Sequence, residues 1–227
     1  TLDDARSLRA ALVAGAERVL VVGAGFIGAE VAASCRSRGV EVVMVEPLEQ
    51  PLVRVLGAAV GSLIADLHRS NGVDVRLGVG VDSMAEDGVG GKVEVRFSDG
   101  TIESFDHVVV GIGVVPNTGW LDGSGLTIDD GIVCDETTLA APGVVAAGDV
   151  ARWPNPLFGE LMRVEHWEHA LDMGAHAARR LATPDDQAGP YAPVPWFWSD
   201  QYDRKLQLAG RVLPTDEVVL VAGSVDD

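Results

Sequence analysis

A glycine-rich turn, Gly23-Ala24-Gly25-Phe26-Ile27-Gly28, is the part of this sequence best suited to bind a ligand. The turn follows the apolar run from Arg18 to Val22 and opens a helical pattern, which is the context that a phosphate-binding loop requires. The first glycine permits a tight turn, the second lets the backbone approach a pyrophosphate, and the third lets the helix pack closely on the strand. Free N–H groups at the helix start would hold the phosphates, so the segment predicts a dinucleotide site.

An acidic residue completes this fingerprint. Glu46 ends the second apolar run, Val40 to Val45, roughly 20 residues after the glycines, where an acid can accept a hydrogen bond from the adenosine ribose. A carboxylate at this position would repel a 2′-phosphate, so NAD is favoured over NADP. The plainer interpretation is a glycine turn that binds nothing. It is disfavoured because the strand, the helix and the acid are all in place.

Two further glycine-containing turns follow buried runs. Gly111-Ile112-Gly113 comes at the end of an apolar strand pattern, and Gly148-Asp149 comes after a second one. Ligands of α/β sheets bind outside the carboxyl ends of the strands, so both turns are candidates to line a ligand site. Asp149 could accept hydrogen bonds from a polyol. Each turn also has a plain interpretation, as a strand-to-loop exit or as a cap for the next turn, and the residues alone leave both interpretations open.

These turns need a scaffold of alternating strands and helices, and the first half of the sequence predicts one. Apolar periodicity predicts helices, strands and one antiparallel hairpin. In chain order they are a helix from Asp3 or Asp4 to about Ala14, a strand from Arg18 to Val22, a helix from Gly25 to Arg38, a strand from Val40 to Val45, a helix from Gly57 to Ser70, a strand from Val73 to Leu77, a hairpin of Lys92 to Phe97 with Thr101 to Ser104, and a strand from His107 to Ile112. The predicted fold class is α/β, a Rossmann-type NAD-binding domain with an antiparallel hairpin insertion.

The second half has a looser pattern. A buried strand is predicted at Gly143 to Ala147, and a long helix at Glu165 to Leu181 with Ala170, Met173, Gly174, Ala177 and Leu181 on its apolar face. A proline-rich linker covers Thr183 to Pro195. The aromatic run Trp196-Phe197-Trp198 and two strands follow.

Composition and charge exclude several classes of function. The net charge of −17 argues against nucleic acid and against an anionic membrane surface as partners. Cys35 and Cys134 lie far apart, which argues against a disulfide framework and a local zinc site. His166, His169 and His176 share the predicted helix near Glu165, but not at a metal-binding spacing, so no metal is predicted. No signal peptide or membrane span is evident, and the cytoplasm is the predicted compartment.

The glycine-rich elements together resemble the two-dinucleotide flavoprotein family that includes glutathione reductase. Val164-Glu165-His166-Trp167 looks like the helix start of its ferredoxin-reductase branch, which includes the putidaredoxin, rubredoxin and biphenyl-dioxygenase reductases. Pro195-Trp196-Phe197-Trp198-Ser199-Asp200-Gln201 resembles the signature at the start of that branch's C-terminal domain. The resemblance spans essentially the whole chain, and the last motif is specific.

This resemblance implies an architecture and an activity. Residues 1–113 would be the NAD-binding domain, residues 114–183 the later part of the FAD-binding domain, and residues 184–227 the start of an α+β C-terminal domain of the interface or dimerisation type. The protein would be an FAD-dependent NAD(P)H oxidoreductase of the ferredoxin–NAD+ reductase type. It would pass electrons from NADH through FAD to a small iron–sulfur protein, a ferredoxin or rubredoxin, for an oxygenase or P450 system. The chemistry belongs to the cofactors, so no catalytic side chain is expected.

The resemblance also implies which residues contact the cofactors. For NADH, the resemblance places Glu46 at the ribose, Glu165 at the carboxamide end, Gly111, Ile112 and Gly113 along the nicotinamide path, and around the pyrophosphate Gly23, Gly25, Phe26, Ile27, Gly28 and Glu30. For FAD, it places Asp149 at the ribityl or phosphate portion, and Trp167 and Trp198 near the flavin ring. From the residues alone, the tryptophans fit a core or interface role equally well.

The sequence departs from the family pattern at one point. The family has a first glycine fingerprint, for FAD, ahead of the NAD domain, whereas this chain has one fingerprint only. We therefore expect a fragment without the N-terminal FAD segment, whose exposed apolar faces would favour homodimers or self-association. Two alternatives stay open. One is another NADH:flavin reductase, such as an NADH oxidase, a nitrite-reductase subunit or a monodehydroascorbate-type reductase. The other is a non-catalytic NAD-binding redox module of the apoptosis-inducing-factor type.

Overall fold

A computed structural model provides the structure, and it describes residues 1–86, 91–213 and 215–224. The chain divides into two compact units. Unit 1 consists of Thr1–Gly113, Ser199–Leu206 and Val212–Asp227, and unit 2 consists of Val114–Trp198 and Gln207–Arg211.

Helices and strands alternate along the first part of unit 1. In chain order they are α1 (Leu2–Val13), β1 (Arg18–Val22), α2 (Phe26–Arg36), β2 (Glu41–Glu46), α3 (Val53–Ser70), β3 (Asp74–Leu77), β4 (Val81–Glu86), β5 (Val93–Phe97), β6 (Ile102–Phe105) and β7 (His107–Val110). Within the described residues, a four-stranded parallel sheet has the order β3-β2-β1-β7, and β4, β5 and β6 form a three-stranded antiparallel sheet.

Strand β1 is apolar on both faces because each face is covered by a different layer. Val19 and Val21 belong to a core with residues of α2. Leu20 and Val22 point the other way, into a core that includes Phe105 of the antiparallel sheet. Side chains alternate along a strand, so a strand covered on both sides reads as a continuous apolar run. The predicted α/β class, with its parallel sheet and antiparallel insertion, is confirmed.

Several boundaries of unit 1 differ from the prediction. The first helix is capped by Thr1 and not by Asp3 or Asp4, because the Thr1 side chain and Asp4 form a reciprocal capping box. The insertion has β4 as a third strand, which the sequence does not reveal because apolar and polar residues do not alternate from Val81 to Glu86. In α3 the predicted start, Gly57, is a non-helical kink with φ 76°, and a helical turn precedes it.

Unit 2 is built from short strands and one long helix. In chain order these are β8 (Ile132–Val133), β9 (Leu139–Ala141), β10 (Val144–Val145), β11 (Ala151–Asn155), β12 (Glu160–Met162) and α4 (Trp167–Ala182). Strands β12, β11 and β8 form one sheet, and β9 pairs with β10 in another. Trp153, which is fully buried, lies in the core of this unit together with Met173 of α4.

Two predictions for this region are corrected. The predicted buried strand at Gly143 to Ala147 is only the two-residue β10, antiparallel to β9, since its partner strand is itself three residues long. Helix α4 buries His169 and Arg180 beside Met173 and Ala177, whereas Leu181, predicted on the apolar face, is 54% exposed. A helical pattern of apolar residues does not identify positions at which a polar side chain is buried.

The aromatic run begins a final two-stranded sheet of β13 (Trp196–Gln201) and β14 (Arg204–Ala209). Its turn contains Tyr202 with φ 57°, a left-handed conformation that is uncommon for a bulky residue. Across the described part of the chain, no helix combines the length and apolar character that crossing a membrane would require.

Candidate functional site

The glycine-rich turn lies between β1 and α2, at the carboxyl end of the parallel sheet. Gly23 has φ 96°, and a Cβ there would lie 2.5 Å from the Gly111 carbonyl oxygen. A Cβ on Gly28 would lie 2.0 Å from the carbonyl oxygen of Gly23. These two positions accept only glycine because strand, turn and helix approach one another too closely for any side chain.

Gly25 differs from its neighbours. It is the N-cap of α2 in an extended conformation, and a Cβ there would meet only the Gly111 carbonyl oxygen, at 3.9 Å. The space over Gly25 is therefore free of protein atoms. A cradle of this kind, which a side chain would fill, fits the close approach of a pyrophosphate.

The start of α2 is open to an anion. No side chain caps the helix, and no acidic residue lies in its first turn. Helix α1 is the internal contrast, because Thr1 caps it and Asp3 and Asp4 occupy its first turn. Uncapped N–H groups and the positive end of the helix dipole leave α2 suited to phosphate.

Glu46 is tied to the turn by its carboxylate. Oε2 accepts a hydrogen bond from the Ala24 N–H at 2.9 Å, and Oε1 accepts one from the Leu48 N–H at 3.1 Å. An ionised carboxylate can accept about four hydrogen bonds, so this residue retains capacity for a ligand hydroxyl. The structure places the acid beside the glycine turn and fixes its orientation before any ligand arrives.

The remaining predicted residues of unit 1 surround the same turn in different ways. The Gly111 N–H donates to the Val22 carbonyl at 2.8 Å, which continues the pairing of β7 with β1. Ile27 and Ile112 are 62% and 74% exposed, Phe26 is half-buried at the start of α2, and Gly113 has φ 109°.

Glu30 is the predicted site residue with an unexpected partner. Its Oε1 accepts a hydrogen bond of 2.6 Å from the Ser199 hydroxyl of β13. Ser199 in turn accepts from Gln201, and Gln201 contacts the buried ring of His68. Ser199 and Gln201 belong to the motif Pro195–Gln201, but no local sequence signal links this motif to His68 of α3.

The four predicted residues of unit 2 lie on three stretches of chain. Asp149 is exposed in a short 3-10 turn, and its carbonyl accepts a hydrogen bond from Arg163. Arg163 also pairs with the Glu165 carboxylate at 2.5 Å, just before α4. Trp167, 67% exposed, stands edge-on to Trp198 with ring centroids 6.1 Å apart. Asp149, Glu165 and Trp167 thus present polar and aromatic groups to solvent.

The histidines of α4 lie in an aromatic cluster. His169 stacks on Trp153 at 4.9 Å, and its Nδ1 lies 3.4 Å from the Tyr191 hydroxyl. Burial, helped by neighbouring His166, lowers the pKa of His169 to about 4. Among the residues that the structure describes, no group of three or more His, Cys, Asp or Glu is arranged to hold a metal ion.

Comparison with known proteins identifies the chain's relatives. Residues 1–174 match the pyridine nucleotide-disulphide oxidoreductase family, and residues 196–226 match the reductase C-terminal family. Rhodocoxin reductase of Rhodococcus erythropolis is 40% identical over 100% of this chain and 52% of its own length. The 5,5′-dehydrodivanillate O-demethylase ferredoxin reductase subunit of a Sphingobium strain is 41% identical over 92% of this chain and 51% of its own length.

A solved structure gives the same result. The ferredoxin reductase for the CYP199A2 system of Rhodopseudomonas palustris superposes with a TM-score of 0.91 at 39% identity, covering 100% of this chain and 55% of that one. The chain therefore spans about half the length of the relatives it matches. Ferredoxin–NAD+ reductases of this family use FAD and NAD(H). With the glycine turn, the acid and both family matches in agreement, the chain belongs to the pyridine nucleotide-disulphide oxidoreductase family, in its ferredoxin-reductase branch.

Proposed function

We propose that unit 1 binds NADH and that the protein is an FAD-dependent reductase passing electrons from NADH to a small iron–sulfur protein. One observation carries the NADH part: the uncapped start of α2, the free space over Gly25 and the carboxylate of Glu46 converge on one turn. Phosphate, close backbone approach and ribose recognition are the three requirements of a dinucleotide, and each has a matching group here.

Each group has a definite task in this proposal. The N–H groups at the start of α2 bind the pyrophosphate, and Glu46 accepts a hydrogen bond from the adenosine ribose. A 2′-phosphate would bring negative charge against this fixed carboxylate, so the site selects NADH over NADPH. Gly111, Ile112 and Gly113, which follow β7 beside β1, line the path toward the nicotinamide.

Glu30 takes a hydrogen-bond donor of the cofactor. A carboxylate repels the pyrophosphate itself, and the adenosine ribose is assigned to Glu46. The adenine amino group is on the adenosine side, whose ribose is assigned to Glu46, so the donors left for Glu30 are the ribose hydroxyls and the carboxamide N–H₂ of the nicotinamide half. Glu30 would therefore orient the nicotinamide half, which refines the broader expectation that it lies near the pyrophosphate.

When bound, FAD would supply the redox chemistry, which couples hydride transfer from NADH to one-electron transfer. Toward FAD, unit 2 would supply the exposed carboxylate of Asp149 as an acceptor for the ribityl hydroxyls, and the Trp167–Trp198 pair for the flavin ring. Glu165, oriented by Arg163, would accept a hydrogen bond from the nicotinamide carboxamide. These residues bind and orient, and none transfers a proton.

The partner is proposed to be a ferredoxin or rubredoxin that serves an oxygenase or P450 system. The names of the relatives support this choice, since two are ferredoxin reductases and one is a rhodocoxin reductase. Cys35 and Cys134 are buried and unpaired, which suits a reducing compartment such as the cytoplasm.

Two experiments test the proposal. Calorimetric titration of the chain with NADH and NADPH should give tighter binding of NADH, and equal or tighter NADPH binding would contradict it. A protein that contains this chain and retains one equivalent of FAD should reduce an added ferredoxin at the expense of NADH. If that FAD-loaded protein binds NADH but transfers no electrons to a ferredoxin, rubredoxin, dioxygen or dye, the result would instead favour a non-catalytic redox module.

A further inference from the structure

A continuous chain of hydrogen bonds inside unit 1 connects the turn after β13 with Glu30. The Tyr202 hydroxyl lies 2.8 Å from His68 Nδ1, and His68 Nε2 lies 3.0 Å from Gln201 Oε1. Gln201 Nε2 lies 3.2 Å from Ser199 Oγ, which donates to Glu30 Oε1 at 2.6 Å. The chain joins α3, β13 and α2, three elements far apart in sequence.

The direction of every hydrogen bond in this chain follows from its last member. The carboxylate of Glu30 can only accept, so the single hydroxyl proton of Ser199 points to it. Ser199 must then accept from Gln201, which therefore presents its N–H₂ group to Ser199 and its carbonyl oxygen to His68. Since a carbonyl cannot donate, His68 carries its proton on Nε2, and its bare Nδ1 accepts from Tyr202.

Burial keeps the chain in this arrangement. Ser199, Gln201 and His68 are 1%, 2% and 0% exposed, so water cannot substitute for a missing partner. Burial lowers the pKa of His68 and raises the pKa of Tyr202 to about 12, which keeps the imidazole neutral and the phenol protonated. Tyr202 reaches His68 from the left-handed backbone position at φ 57°, a conformation that surrounding contacts must hold in place.

We propose that His68, through Gln201 and Ser199, is a positioning residue for Glu30 that aims this carboxylate at the nicotinamide half of the bound dinucleotide. The inference rests on the proposed NADH site and adds the residues that orient it. Of the two carboxylate oxygens of Glu30, only Oε1 has a hydrogen-bond partner among the described residues. Oε2 therefore stays available to the ligand. Because every donor from Tyr202 to Ser199 points toward Glu30, this series of hydrogen bonds fixes both the position of the Glu30 carboxylate and the direction of its lone pairs.

The tautomer of His68 provides a test that needs no ligand. Long-range ¹H–¹⁵N correlation spectra of the 227-residue chain should show His68 protonated at Nε2 and unprotonated at Nδ1. In Tyr202→Phe, where Nδ1 loses its donor, the other tautomer should become detectable. A wild-type spectrum with the proton on Nδ1 would overturn the proposed direction of the chain, whether or not NADH binds.

Two substitutions of His68 separate positioning from simple packing. A glutamine amide can place an N–H near the position of Nε2 and keep the donation to Gln201, whereas an asparagine amide reaches only the position of Nδ1. We expect His68→Gln to keep the NADH dissociation constant within about twofold. His68→Asn and Ser199→Ala should weaken NADH binding about fivefold to tenfold, the effect of one lost hydrogen bond.

The control ligand is ADP, which carries the adenosine ribose and the diphosphate but no nicotinamide half. ADP affinity should be equal in wild type and all variants, and the two His68 variants should have similar melting temperatures. Equal NADH affinity in His68→Gln and His68→Asn, or a parallel loss of ADP binding, would overturn the positioning role. A wild-type chain that binds neither NADH nor ADP would refute both the proposed NADH site and the positioning role. The ligand-free spectrum tests the direction of the hydrogen bonds separately, because it does not depend on nucleotide binding.

Discussion

Gly23, Gly25 and Gly28 are chemically identical, but the structure gives each a different reason to be glycine. Gly23 and Gly28 are required by the protein itself, because a side chain would collide with backbone oxygen atoms. At Gly25 the protein leaves space, so we expect any requirement for glycine there to come from the proposed dinucleotide. Single residues of one type can therefore separate folding from binding.

Substitution at Gly25 should remove dinucleotide binding and leave stability nearly unchanged. The extended backbone of Gly25 tolerates a side chain, and the nearest protein atom to a Cβ is 3.9 Å away. We expect Gly25→Val to show no measurable heat of NADH binding and a melting temperature within a few degrees of wild type. Gly28→Ala is the contrasting variant, because its methyl group would lie 2.0 Å from the Gly23 carbonyl oxygen, and it should lower the melting temperature. Unaltered NADH affinity in Gly25→Val would place the cofactor elsewhere.

The selectivity for NADH should depend on Glu46. In Glu46→Ala the ribose hydroxyl loses its acceptor and a 2′-phosphate loses the charge that repels it, so the preference for NADH should narrow by about 1–3 kcal/mol. Titration calorimetry with both nucleotides measures the preference directly. Glu49→Ala removes an exposed carboxylate three residues away and serves as the control. A preference that survives in Glu46→Ala would show that another group reads the 2′ position.

At the scale of elements, one carboxylate joins the antiparallel sheet to the parallel sheet. Glu103 of β6 accepts hydrogen bonds of 2.6 Å from Arg18 of β1 and from Arg76 of β3. Each guanidinium also lies over an aromatic ring, Arg18 over Phe105 and Arg76 over Phe97. The hydrogen bonds from Arg76 and then from Arg18 hold the pKa of Glu103 below its usual 4.5, against the opposing effect of burial.

This pairing should stabilise the fold above pH 4.5 and lose its effect below that pH. An unfolded Glu103 takes up its proton near pH 4.5, whereas the folded one resists protonation, so the contribution fades as the pH falls toward the lowered pKa. We expect Glu103→Gln to reduce the free energy of unfolding by about 1–2 kcal/mol at pH 7, and by less at pH 3 to 4. Urea unfolding measures both, with Glu94→Gln on the exposed side of β5 as the control. An equal loss at both pH values would contradict the assignment.

His169 of α4 should give unit 2 a separate sensitivity to acid. The unfolded side chain binds a proton near its ordinary pKa of 6.5, whereas the folded one does so only at about 4, mainly because it is buried. Stability should therefore fall as the pH drops from 6.5 to 4, with a slope approaching 1.4 kcal/mol per pH unit for this one proton. In His169→Gln the free energy of unfolding, taken relative to the value of the same variant at pH 7.5, should fall less steeply with pH than it does in wild type. An unchanged slope would mean that the folded protein accommodates the charged imidazole.

The sequence predicts those elements whose burial produces a local pattern of apolar residues, and it does not predict those defined by distant partners. Strand β1, buried on both faces, was predicted at its observed bounds because covered parallel strands read as continuous apolar runs. Strand β4 was missed because its exposed side chains give no alternation, and its place depends on pairing with β5. The glycine turn and Glu46 carried a local signal. His68 did not, because a buried polar side chain is defined by partners that lie 133 and 134 residues later.

At the scale of the whole molecule, the chain has one complete dinucleotide fingerprint for two cofactors. FAD has its own pyrophosphate and would need a second glycine-rich turn that leads into an uncapped helix. Helix α4 of unit 2 also starts without a side-chain cap, but no glycine-rich turn precedes it and Glu168 lies in its first turn. Unit 2 offers Asp149 and a tryptophan pair, and its short 3-10 turn at Gly148–Val150 is no substitute for such a helix.

The 227-residue chain, purified by itself, should therefore be colourless or nearly so. NADH binding should survive, while flavin absorbance near 450 nm should stay far below one equivalent and reductase activity should be low. Trp167 and Leu171, exposed one helical turn apart on α4, should favour self-association at high concentration. Absorbance spectra after gel filtration with excess FAD provide the measurement. One equivalent of retained flavin would contradict this prediction.

The order of strands in the parallel sheet has a consequence for synthesis on the ribosome. Strand β1 lies between β2, its near neighbour in sequence, and β7, which follows the whole antiparallel insertion. The hydrogen bond from the Arg18 N–H to the carboxylate of Asp106 can therefore form only after 88 further residues have been synthesised. At about 5–20 residues per second, one edge of the apolar strand β1 stays unpaired for roughly 4–18 s after it is made. During that interval the nascent chain presents a template for pairing with other chains, and a chaperone that covers β1 would decide the yield of folded protein.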